Sequence, residues 1–175
     1  DLVGEPFRVE ELVFFVHPRH PLARRQSVTL KEVLAHPLII RNVKLESTAT
    51  HDILEELAQR GYSYKVALWC NEPLLIREGV ARNVGVGISF LENLRADLKR
   101  GRFVVLKGSD FHFTTFSYIV YSKHRELSPL AQQFLHMLRL ARKLPALDRL
   151  KSIAGAPNPR VMTAVKQRGK SNSKS

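Results

Sequence analysis

Seven histidines, one cysteine and a Gly-Val-Gly run are the residues through which this chain could do covalent, metal or phosphate chemistry. Each has a spacing that argues against that use. His17 and His20 show an H-x-x-H interval, but it spans a strand end and a Pro-Arg turn, so the two rings do not share one helix face. Cys70 has no second thiol to pair with, which excludes an internal disulfide and a thiolate zinc site. Nothing nearby in sequence would lower its pKa, so a packed side chain is expected and not a redox sensor. Gly85-Val86-Gly87 lacks the third glycine of a dinucleotide fingerprint, and its first glycine follows a helix-like segment where a strand is required. No Ser/His/Asp set or carboxylate pair stands in a recognisable catalytic context. Reversible recognition of a ligand is the chemistry left.

The elements that would position such a site are legible. Residues 11–17 (ELVFFVH) read as a buried strand ended by Pro18. Thr29 and Glu32 have capping-box spacing, and the short helix they start must stop before Pro37. Residues 38–41 form a compact apolar strand, and 48–60 a helix with Ile53, Leu54 and Leu57 in its stripe and Gly61 as left-handed cap. A strand at 64–70 precedes a helix for which Asn71 is the expected cap, Pro73 the first turn, and Leu74, Leu75, Ile76 and Val80 the apolar stripe. Asn83 should close it in the left-handed conformation. There follow a strand at 84–90, a helix at 91–99 closed by Gly101, strands at 103–106 and 111–121, and a helix from Ser128-Pro129 through Leu140. This alternation predicts an α/β fold, a parallel sheet with helices on both faces, in which the late long strand returns past the first.

In open parallel sheets ligands bind beyond the carboxyl ends of the strands, where helix amino-termini supply free amides and a favourable dipole for anions. Those edges are the loops at 41–50 and 70–73, so Arg41, Asn42, Ser47, Thr48 and Asn71 are the candidate effector-binding residues. Arg41 would pair with an acidic group, while the hydroxyls and the asparagine amide orient it. Ser47 and Thr48 are also ordinary capping residues. His51 lies beside the same loop, where a solvated helix-start histidine is the simpler reading. No catalytic residue, metal site or cofactor is expected.

Charge and length set the outer bounds. The 175 residues carry a net charge of +12, but residues 139–175 hold ten Lys/Arg against the single acid Asp148, leaving only +3 for residues 1–138. The excess is therefore a property of the carboxyl-terminal stretch, whose Gly, Pro, Asn and Ser content predicts a solvated tail without a fixed fold. No apolar run approaches the roughly 20 residues that span a bilayer. The acidic, mixed first residues do not read as a secretory signal, and a cytoplasmic location is expected.

Three longer segments are familiar together. FFVHPRHPLARRQSVTLKEVLAHPLIIRN (14–42) resembles the entry into the second lobe of the sensing domain of LysR-type transcription regulators. CNEPLLIREGVARNVGVGISFLEN (70–93) is similar to the family's Asn-capped helix with its Gly-x-Gly turn, and YIVYSKHRELSPLAQQFLHMLR (118–139) to its returning strand and last helix. The chain departs at Asn83, where the family usually has glycine, and at Glu92 or Phe90, where proline is common. The resemblance covers about residues 1–143. It implies a type II periplasmic-binding-protein-like, two-lobed sensing domain with one lobe near complete and the other partial. On that reading 1–21 end the first lobe and enter the hinge, 22–116 form the second lobe, 117–143 return to the first lobe, and 144–175 are the basic tail. It further implies a small, anionic effector, assembly into homodimers or tetramers, no membrane partner, and DNA contact only through a helix-turn-helix region that precedes this stretch. The chain is then expected to be a fragment in which Phe14, Phe15 and the apolar face of the last helix lack part of their cover.

Competing classes are a solute-binding protein of the same fold, a small α/β enzyme related to cyclohydratases, and direct nucleic-acid binding by the basic tail. The first needs an export signal, the second a general acid or nucleophile in the cleft, and the third salt-dependent DNA retention that is lost with residues 145–175.

Overall fold

The computed structural model describes residues 2–41 and 49–142. Twelve elements follow one another: β1 (Leu2–Val16), a 3-10 turn (Pro21–Arg24), α1 (Leu30–Leu34), β2 (Leu38–Arg41), α2 (Ala49–Gln59), β3 (Val66–Cys70), α3 (Pro73–Ala81), β4 (Val86–Phe90), α4 (Leu91–Lys99), β5 (Val104–Val105), β6 (Phe113–Ser122) and α5 (Pro129–Leu140). The expectations for the basic tail and for Asn42, Ser47 and Thr48 fall outside the described residues. No helix among the described residues is long and apolar enough to cross a membrane.

The sheet runs β3-β2-β4-β1-β5, with β6 pairing β1. It is mixed, which corrects the expectation of a parallel sheet. β2 is parallel to β3 and to β4, whereas β1 is antiparallel to both β4 and β5. β1 also begins nine residues before the strand expected at 11–17. Its first half is polar and half-exposed (VGEPFRVE), so it carries no apolar run to mark it, and pairing with β6 holds it extended. The return of the late strand past the first is as expected.

The described residues divide into two compact units, one of Glu11–Phe113 and the other of the described residues on either side. The first unit has a core on each face of its sheet. Leu12, Phe14 and Val16 pack with α1 and α2 on one face, and Val13 and Phe15 with Ile76, Val80 and Leu94 of α3 and α4 on the other. Phe14 and Phe15 are fully buried, against expectation. Phe14 meets Phe111 and Phe113 edge-on at 5.4 and 6.0 Å, and Phe15 meets Phe103 at 5.1 Å, so distant parts of the same chain provide the cover. The ring of Phe15 also fixes Gly87, where a Cβ would lie 2.5 Å from it.

Local signals worked where the chemistry is local. Both halves of the Thr29–Glu32 capping box form. Asn83, Gly61 and Gly101 all adopt positive φ, at 57°, 75° and 67°. Two helix expectations need correcting. The cap of α3 is Glu72 and not Asn71, and it makes no side-chain hydrogen bond, because Pro73 shifts the first turn one residue later. Leu74 and Leu75 are about half exposed, and Ile76, Gly79 and Val80 face the core.

In the second unit, α5 is capped by Ser128 and keeps Leu135 buried, while Leu130, Phe134, Met137 and Leu140 stay exposed as expected. Glu5 of β1 accepts hydrogen bonds from Arg139 Nε (3.0 Å), Arg139 Nη2 (2.5 Å) and Tyr121 Oη (2.6 Å), tying strand to helix. The Arg139 bonds above all, helped by Tyr121, hold its carboxyl down at about 2.

One buried histidine makes the first unit sensitive to acid. His20 is 6% exposed, its Nδ1 accepts from the Leu22 N–H at 3.2 Å, and the His36 ring lies 4.6 Å away. Burial first, and His36 second, push its pKa below the ordinary 6.5. The unfolded chain therefore binds a proton at a pH where the folded chain does not. That stability is present above about pH 6.5 and is lost as pH falls through that value toward the folded pKa, with a slope of at most about 1.4 kcal/mol per pH unit. Urea titrations at pH 7.5 and 5.5 should show a smaller loss for His20→Asn, which keeps the acceptor without the titration; equal losses would remove His20 from the account.

Candidate functional site

The three parallel strands end at one edge of the sheet, and the helices that follow β3 and β4 start there. β2 ends in Arg41, in register with Cys70 at the end of β3. β4, on the other side of β2, ends in Phe90 and leads at once into α4. Arg41 and Asn71 are both exposed at this edge. The structure thus brings together two of the five residues selected from sequence. The other three, Asn42, Ser47 and Thr48, belong to the undescribed connection between β2 and α2.

How the helices begin distinguishes this edge from the rest of the fold. Away from it, α1 has a complete capping box, and its Leu30 N–H also donates to Asp110 Oδ1 at 2.8 Å. α5 receives the Ser128 hydroxyl. At the edge, the cap positions of α3 and α4 are Glu72 and Phe90, and neither makes a side-chain cap hydrogen bond. Helix starts leave amides without intrahelical partners. Two such starts flank the guanidinium-bearing end of β2, which is an arrangement for holding an anion. The helix at 91–99 was read from sequence, but not the place of its start at this edge, since nothing local reveals that β4 lies beside β2.

The other chemistry-bearing residues are occupied structurally. His17 Nδ1 accepts from the Arg19 N–H at 3.1 Å, so both histidines of the H-x-x-H interval serve nearby backbone. His51 lies within 3.2 Å of Glu55, one turn along α2. Among the described residues no group of three His, Cys, Asp or Glu could hold a metal ion. A Cβ on Gly85 would approach Pro37 O to 2.3 Å, and one on Gly87 would strike Phe15 and Val80, so this glycine pair serves close packing. Cys70 is buried with Ile39 and Ile76, its thiol 3.8 Å from Ile40 O, and burial raises its pKa.

Comparison with known proteins gives a consistent result. The LysR substrate binding domain family matches residues 1–142. The chain is 24% identical over 135 residues to a RuBisCO operon transcriptional regulator of Allochromatium vinosum, covering 77% of this chain and 44% of the relative. It is 27% identical over 133 residues to the HTH-type transcriptional activator CmpR of Synechocystis, covering 75% and 43%. The chain thus spans less than half the length of these relatives. Its fold is similar to the CcmR regulatory domain of Synechocystis PCC6803, solved with 2-PG (TM-score 0.73, 21% identity, 82% of this chain and 68% of that one). It is similar also to the effector binding domain of QuiR, solved with shikimate (TM-score 0.69, 22% identity, 81% and 66%).

The state of Cys70 can be checked directly. Iodoacetamide at pH 8 should modify it about a hundred-fold more slowly in the native chain than in urea, because the reactive thiolate is both disfavoured and covered. Equal rates would show the packed reading to be wrong.

Proposed function

Because the chain belongs to the LysR substrate binding domain family, we propose that it is the effector-sensing part of a LysR-type transcription regulator, taking a small anionic metabolite at the carboxyl edge of β2, β3 and β4. The observation that carries this is Arg41, exposed between two helix starts without side-chain caps. Asn71 adds a donor and acceptor beside it, and Asn42, Ser47 and Thr48 supply the polar connection that leaves β2. A carboxylate or phosphate there would exchange water for charge-assisted bonds from guanidinium and backbone amides. No bond in the ligand is broken. The family's members are transcription regulators, and binding free energy alone is enough for the task.

A sensor acts by binding one conformation better than another and so shifting a pre-existing equilibrium. A coupling of about 1–3 kcal/mol changes affinity at a distant site several-fold or more. In the whole protein this shift would act on DNA through a helix-turn-helix region outside this chain, within a cytoplasmic homodimer or tetramer. Similarity to transcription regulators favours this reading over a solute-binding protein of the same fold.

Ligands that bind the native state alone raise its stability by mass action, about 2.7 kcal/mol at a hundred times the dissociation constant. Screening shikimate, 2-PG and related small acids by thermal shift should find a compound that raises the melting temperature by several degrees. Arg41→Ala and Thr48→Ala should then each reduce the shift, by a loss of affinity of about ten-fold or more for the arginine. A shift that both variants leave intact would place the ligand elsewhere.

A further inference from the structure

We infer that Ser89 is a further ligand-contacting residue, its hydroxyl acting with Arg41 on the same anionic group; this rests on the reading of the edge as an effector site. Ser89 is the penultimate residue of β4 and is half-buried. It pairs with Val13 of β1, and Gly87, two residues earlier, pairs with Phe15. Val13 and Phe15 both belong to the core beneath α3 and α4. Ser89 therefore places a hydroxyl on a face otherwise built from apolar side chains. That hydroxyl makes no hydrogen bond with any described residue. The fold itself does not call for a hydroxyl there, since Val suits a strand position facing a core at least as well.

Strand register supplies the reason. β2 and β4 are parallel neighbours, with Leu38 opposite Val86 and Ile39 opposite Gly87. Arg41 stands two residues beyond Ile39, and Ser89 two beyond Gly87. Alternation puts both on the same face of neighbouring strands, two residues beyond the last paired positions. Arg41 makes no ion pair with any described residue. Guanidinium and hydroxyl thus belong to one face at the same strand ends, where α4 starts at Leu91 and α3 at Pro73. A carboxylate or phosphoryl oxygen bridging them would satisfy the serine and neutralise the arginine together. A neutral polyol would satisfy only the serine, so the pair selects for acids.

The test is calorimetric titration of the full chain with shikimate and with 2-PG, comparing wild type, Ser89→Ala, Ser89→Thr, Arg41→Ala and the Arg41→Ala/Ser89→Ala double variant. For the acid that binds, Ser89→Ala should weaken affinity about ten-fold. Ser89→Thr should restore most of it, and the double variant should lose less than the product of the single losses, as groups holding one anion do. The ligand-free melting temperature of Ser89→Ala should not fall, because no bond is lost; a fall accompanied by unchanged affinity would assign Ser89 a packing role and overturn the inference. Affinity for Ser89→Ala within two-fold of wild type, with Arg41→Ala about ten-fold weaker, would overturn it while leaving the effector edge in place. Wild-type chain that binds neither acid would sink the effector reading and this inference with it.

Discussion

Two parallel strands cannot be joined by a tight turn, so the chain must leave the end of one and travel back before it can begin the next. This constraint organises the first unit of the fold. β3, β2 and β4 are parallel, and β3 and β4 hand over to helices at the same edge. Helix starts bring amides without intrahelical partners, and a fold must meet that need with side chains, water or ligand. At α1 and α5 this protein uses side chains. At α3 and α4 it does not, and there the chemistry of the edge remains open.

The remainder of the first unit makes that edge rigid. Two cores, one on each face, hold β2 with Leu38, Ile39 and Ile40 wholly buried, so Arg41 extends from a strand with no freedom to shift register. A slip by one residue would carry each buried side chain to the opposite face. Gly87 lets Phe15 and Val80 close over β4, which fixes the strand that carries Ser89. Antiparallel β1 braces the parallel trio from one side. A ligand site on such elements is preorganised, and less of its binding energy goes into ordering side chains.

How much of this was legible in sequence depended on range. Thr29 with Glu32, Asn83, Gly61, Gly101 and Ser128 act within one turn of their own position, and each was read correctly. The resemblance to LysR regulators, carried by residues 14–42, 70–93 and 118–139, led to the family that the comparisons establish. Features decided by distant partners were not legible. The polar first half of β1 is a strand because of β6, and Phe14 and Phe15 are covered by residues about ninety to a hundred positions away. Leu74 and Leu75 fit a helical stripe by spacing, yet the direction of the core was set by α3 docking through Ile76 and Gly79. At the site, Arg41 and Asn71 could be chosen because strand ends are local signals. Ser89 could not, since its place at the same edge as Arg41 depends on β4 inserting next to β2.

The central claim is that the carboxyl edge of the parallel trio grips an anion. Hydrogen exchange on the full chain, with and without a saturating small acid identified by thermal shift, tests it most directly. The account predicts slowed exchange confined to peptides covering the amides after Arg41, at the start of α3 and at the start of α4, with the Thr29 start of α1 unaffected. Protection at α1 or along α5, with those three starts unchanged, would contradict it.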